Sequence, residues 1–217
     1  MNRSLGLCLA LAVATAARAD EGSDEARLNA RLAPDVAHQV STLVNEARAA
    51  GLPTDPLIAR AFEGASRGAD AAGIVNGVRR QSSAQAAARG ALGPGSQPDE
   101  IVAGASALLA GVPADSLSHL RLARAGGSLV VPLVVLCDLV ARGVPADVAS
   151  VAVVTAARAG ATDNVLLRIR ERIHTGIKNN NTPAGTTDEV VRQWLRVTAG
   201  RGRHGEGPGG ESKRKTP

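Results

Sequence analysis

Three times the chain writes one phrase, Gly-(Leu or Val)-Pro-(Thr or Ala)-Asp, at Gly51–Asp55, Gly111–Asp115 and Gly143–Asp147. Each residue of the phrase has a job at a helix-to-helix corner. Glycine closes one helix in the left-handed conformation that L side chains resist, and proline opens the next where its missing N–H costs least. The aspartate then faces the positive end of the new helix dipole near its third position. Leu52, Val112 or Val144 is left to pack back across the corner as a staple.

Other glycines keep the same beat. Gly51 to Gly68 is 17 positions, Gly111 to Gly127 and Gly127 to Gly143 are 16 each, and Gly143 to Gly160 is 17. That interval fits about three helical turns and a tight corner. Ser128 and Thr162 follow glycines at the alternate corners and read as N-caps. Between the corners the apolar residues recur at helical spacing: Val36, Val40, Leu43, Val44 and Ala47 form one stripe, and Ile101, Ala105, Leu108 and Leu109 another.

Laid side by side without gaps, Gly51 to Arg80 and Gly143 to Arg172 share the Gly-x-Pro-x-Asp opening, a second Gly-Ala pair and a basic end. They read as repeats of a helix-turn-helix unit, with Gly111 to Arg142 as a third. The interruption after the first, Arg79 to Glu100, predicts a prolonged helix and then a loop at Gly93 to Gln97. Leu129 to Val140 is rich in Val and Leu, but Pro132 argues against a central strand. As a helix it must hold Pro132 in its first turn and lie at the buried centre of the array. His174 to Thr186 predicts a polar loop, and Thr186 with Glu189 a capping box that starts the last helix.

The fold class expected is therefore all-α: stacked helical hairpins in a repeat-like, right-handed, solenoid-like array of about eight to nine helices. The expected divisions are a signal peptide over 1–19, a flexible segment over 20–33, a helical-hairpin domain over 34–199 and a disordered basic tail over 200–217.

The signal peptide is read from a basic start at Arg3, an apolar run from Leu5 to Ala14 and the small residues Ala17 and Ala19 before Asp20. Cleavage is expected between Ala19 and Asp20. The apolar run is about half the roughly 20 residues that a bilayer span needs, so a transmembrane anchor is disfavoured. A lipid anchor on Cys8 is rejected because the residue lies inside the apolar run after Leu7. Export to the periplasm or the extracellular space follows as the expectation, with no transmembrane segment in the mature chain. Cleavage removes Cys8, leaves Cys137 alone and excludes an intramolecular disulfide.

Charge is uneven. Asp20 to Asn164 carries 12 Arg against 15 Asp and Glu, whereas Val165 to Pro217 carries 11 Lys and Arg against 5 acids. A solubilising tail accounts for this, and so does contact with an anionic surface through Arg201, Arg203, Lys213, Arg214 and Lys215. Nucleic acid is not expected as a partner, since the chain has no Tyr, one Phe and one Trp and so lacks stacking platforms.

Catalytic patterns are weak. His38, His119, His174 and His204 are scattered and predict no metal site. "GASRG" at Gly64 to Gly68 imitates a nucleophile elbow in the wrong helical setting. "GPGSQP" lacks the lysine of a phosphate loop, and Asp99-Glu100 and Asp188-Glu189 are explained by helix dipoles. No cofactor is expected. The leading function is an exported, non-catalytic scaffold that binds a protein or an anionic envelope component. The alternatives are a structural envelope protein that self-associates through Ala- and Val-rich faces, and an enzyme assembled from dispersed residues, with Asp138, Cys137 and His119 the first suspects.

Overall fold

The computed structural model describes the backbone over residues 22–203 and side chains over 22–199, so the cleavage site at Ala19 and Asp20 and the basic residues Lys213, Arg214 and Lys215 lie outside the described residues. Among the described residues every regular element is a helix. The order is α1 (22–29), α2 (Pro34–Ala49), α3 (Asp55–Ser66), α4 (Ala71–Leu92), α5 (Pro98–Leu109), α6 (Ala114–Ala123), α7 (Val130–Ala141), α8 (Ala146–Arg158), α9 (Asp163–Lys178) and α10 (Pro183–Arg203).

The corners behave as their chemistry demands. Gly51, Gly68, Gly111, Gly143 and Gly160 all have positive φ. At Gly51 the glycine N–H donates to Arg48 O at 2.9 Å, and Leu52 N–H reaches back to Ala47 O at 2.9 Å. The same pair of bonds closes α5, where Val112 N–H donates to Ala107 O, and α7, where Val144 N–H donates to Leu139 O. These bonds use carbonyls that the helix ends would leave unsatisfied. Leu52, Val112 and Val144 are buried together with Ala47, Ala107 and Leu139. Asn180 closes α9 by the same geometry at φ 62, being a residue type that tolerates this region.

Gly51 to Arg80 and Gly143 to Arg172 both form helix, glycine corner, helix, with α3 and α8 followed by the openings of α4 and α9 at equivalent positions. The interruption is a prolonged α4 with a loop over 93–97, as expected. Pro132 occupies the first turn of α7, whose Leu133, Val135, Leu136 and Leu139 are buried while Val134 is exposed. One face of α7 therefore meets solvent.

Several local expectations are corrected. There are ten helices among the described residues, not eight or nine, because residues 22–29 of the expected flexible segment form α1. Its Leu28 is fully enclosed, and Asp24 is held by Arg48 at 2.6 Å. Gly126 rather than Gly127 takes the left-handed corner before α7. Pro145 sits at the N-cap of α8, one position earlier than N1, and α6 likewise begins just after Pro113. The loop after Ile173 shrinks to 179–182, since α9 runs on to Lys178 and α10 starts at Pro183. Proline fixes the φ that a first helical turn requires, so it displaces the Thr186–Glu189 start. Thr186 N–H instead donates to Thr182 O at 2.9 Å as an interior helical bond.

The chain divides into two compact units, residues 1–118 and 119–217, with the boundary inside α6. In the first, Leu28 and Leu32 join Val36, Val40, Val44, Leu57, Ile58 and Val78 in one core. α5 lies so close to α4 that a Cβ on Gly104 would come within 3.1 Å of Ala88 Cβ and Leu92 Cδ1. In the second, α7 packs on α8 and α9, and α10 packs on both α8 and α9. Its core is built from Leu133, Leu136, Leu139, Val153, Leu166, Ile169 and Ile173.

Candidate functional site

Asp138 on α7 is joined by a histidine from α9, but the histidine is His174. His174 Nε2 lies 2.8 Å from Asp138 Oδ2, out of line for a hydrogen bond. Arg170 Nε stands 3.7 Å from the same oxygen and Arg142 Nε 3.4 Å from Asp138 Oδ1. On the other side of the imidazole, His174 Nδ1 is 3.8 Å from Glu171 Oε2. His119 is exposed on α6 and takes no part in this cluster.

Sequence reasoning placed His174 at the start of a polar loop and so missed it. The missed signal was helical spacing: Leu166, Ile169 and Ile173 are the buried face of α9, and extending that stripe puts Arg170 and His174 along its edge. His174 is only 5 % exposed. Burial lowers its pKa below the ordinary histidine value; Asp138 opposes this, while Arg142 and Arg170 add to it. Burial first, and then the two guanidiniums, thus disfavour the charged imidazole despite the neighbouring Asp138.

Cys137 is half-buried on α7. Burial pushes its thiol above the usual range, and the Asp138 charge raises it further. A protonated thiol is a poor nucleophile. The cluster therefore brings a carboxyl and an imidazole together without a hydrogen bond between them, and its contacts join α7 to α9. Among the described residues no three His, Cys, Asp or Glu side chains are grouped to hold a metal ion.

A second feature is the surface of α10. Its N-terminal half is anchored by Thr186, Thr187, Val190 and Val191, all buried. Toward α8 lies an open groove of about 350 Å³, lined by Val151, Ala152, Thr155, Asp188, Val191, Arg192 and Leu195. Val151 on α8 is 67 % exposed there. Toward α9, Arg172 Nη2 donates to Gln193 Oε1 at 2.6 Å. Gly176 faces Thr186 so closely that a Cβ added to the glycine would overlap the threonine methyl.

Of the residues predicted to contact an anionic surface, Arg201 and Arg203 lie within the backbone of α10. Among the described residues no helix is long and apolar enough to cross a membrane. No protein-family model matches the chain, and comparisons with curated proteins and with solved structures returned no match.

Proposed function

We propose that the chain is an exported, non-catalytic helical scaffold that binds a protein or cell-envelope partner, with its helix-corner-helix units stacked as a right-handed, solenoid-like array. The observation that carries this reading is the α8–α10 groove. Val151, Ala152, Val191 and Leu195 line it with apolar surface, and Asp188 and Arg192 supply one charge of each sign. Apolar side chains mixed with a charge of each sign are a composition found at protein-recognition surfaces. Export is supported by the run from Leu5 to Ala14 and the small residues at Ala17 and Ala19.

The test is site-specific photocrosslinking from position 151 in the producing cell. The reading expects a discrete crosslinked species, lost when the half-buried Leu195 is replaced by Asp with circular dichroism unaltered, and an exported form whose intact mass begins at Asp20. Crosslinks to this chain alone, with a dimer mass in light scattering, would favour the self-associating structural protein instead. Protein retained with Met1 and found only inside the cell would remove the export part.

A further inference from the structure

We propose that the end of the α9–α10 hairpin distant from its connecting turn is a docking surface for an anionic lipid bilayer. This names a partner for the scaffold reading and rests on it only for access to a membrane; the α8–α10 groove borders this surface at Arg192 and Leu195 but is lined by none of Arg168, Arg196 and Val197.

Two contacts fix the register of the hairpin. Gly176 meets Thr186, and Arg172 meets Gln193, so α9 and α10 run antiparallel. One turn further along, that register sets Arg168 on α9 level with Arg196 and Val197 on α10. All three are exposed.

Charge is sorted along this hairpin. Near the connecting turn stand Asp188 and Glu189, whereas Glu171 lies at the middle of α9, one turn from Arg168. Beyond Glu189, α10 contains no acid through Arg203 and four arginines, Arg192, Arg196, Arg201 and Arg203. Asp163, at the start of α9, is already bound by Arg124 at 2.6 Å. The distant end is therefore net cationic, with Glu171 one turn from Arg168 offsetting part of that charge.

Apolar side chains lie in the same place. Down α10 the stripe passes from buried Val190 and Val191 to half-buried Trp194 and Leu195, and then to Val197, which is 50 % exposed. Residues 196–199, a full turn, are all exposed. Cations beside a tryptophan and uncovered aliphatic groups match the border between lipid headgroups and acyl chains. A purely polyanionic partner would use the arginines and leave Val197 without a role.

The experiment is co-sedimentation of the full chain with vesicles of phosphatidylcholine alone and of phosphatidylcholine with phosphatidylglycerol, at low and high salt. Binding should favour the anionic vesicles and weaken with salt. Each basic residue at a charged membrane surface contributes about fivefold to partitioning, so R168E/R196E should lower anionic-vesicle binding by at least about 25-fold. R168K/R196K should retain most of it, and Val197→Ser should weaken it several-fold while leaving binding to soluble polyphosphate unchanged. Unaltered circular dichroism shows that the variants are folded.

The leader segment and the basic tail can give a background of vesicle binding, but neither makes that binding depend on Arg168, Arg196 and Val197. Equal sedimentation with both vesicle types, or anionic selectivity undiminished in R168E/R196E, overturns the proposal. So does loss of polyphosphate and vesicle binding together in Val197→Ser. None of these outcomes bears on crosslinking from position 151 or on the mass of the exported form, which test the scaffold reading.

Discussion

His174 Nε2 on α9 stands 2.8 Å from Asp138 Oδ2 on α7, and the imidazole is nevertheless held neutral. Burial is the largest influence on it, and Arg142 and Arg170 act in the same direction against the pull of Asp138. The folded pKa therefore lies below that of the unfolded chain, near 6.5 for an ordinary histidine. As pH falls through the interval between the two values, the unfolded chain takes up a proton that the folded chain refuses. His174 thus contributes stability that is complete above the ordinary histidine range and is lost as pH falls through the folded value. NMR titration should show the His174 ring protonating below the ordinary range. H174N should flatten this part of the pH dependence of chemical denaturation. A raised His174 pKa would show that Asp138 wins over burial.

Gly176 and Thr186 fix how closely α9 and α10 approach. In an exposed helix, Gly→Ala gains roughly 1 kcal/mol from helix propensity. Here the added methyl meets the Thr186 Cγ2, on a short side chain that is itself buried. Gly176→Ala should therefore destabilise the chain by about 1–3 kcal/mol, the usual range for overpacking. Thr186→Ser removes the methyl that is struck, so the double variant should be more stable than Gly176→Ala alone. Thermal melts of the four proteins form the cycle, and additive effects would show that the two residues are not coupled.

Leu28 places the start of the folded chain earlier than its composition suggests. Residues 22–32 are mostly charged or small, yet Leu28 in α1 and Leu32 in the bend after it enter the same core as Val36, Val40 and Val44. Leu28→Ala should cost about 2–5 kcal/mol, the range for truncating an enclosed leucine. A change below 0.5 kcal/mol in urea denaturation, the scale of a surface substitution, would mean that α1 is dispensable and that the flexible-segment reading was right.

The corners were legible because their causes are local. A left-handed glycine, the apolar residue after it and the proline beside it act within five or six residues, and the corners at Gly51, Gly68, Gly111, Gly143 and Gly160 were placed from the sequence, whereas the one at Gly126 was placed a residue late, at Gly127. Helix starts were less so where two local signals competed, as when Pro183 displaced the Thr186–Glu189 box. The Asp138–His174 pair was out of reach, since 36 positions of chain separate the two residues and their meeting depends on how α7 and α9 pack. The approach of Gly176 to Thr186 is tertiary for the same reason. The α1 helix and the bend after it carried a real signal in Leu28 and Leu32, but two apolar residues in a charged segment are too few to declare a buried face without α2 beside them.

Gly143 tests the logic of the repeated corner most directly. Its φ is 87°, its N–H donates to Val140 O at 2.9 Å, and Val144 N–H donates to Leu139 O at 3.1 Å. A side chain here would meet little hindrance from neighbours, since the nearest atom to an added Cβ is Pro183 Cγ at 3.9 Å. The cost of Gly143→Val must therefore come from the backbone, where a β-branched residue in the left-handed region loses roughly 1–2 kcal/mol. Gly143→Asn should cost less, because asparagine tolerates this conformation, as Asn180 does at the equivalent end of α9. The expected order of melting temperatures is wild type, then Asn, then Val. Equal melting of all three would mean that the corner does not hold a left-handed residue in solution, and the explanation of the recurring Gly-x-Pro-x-Asp phrase would fail with it.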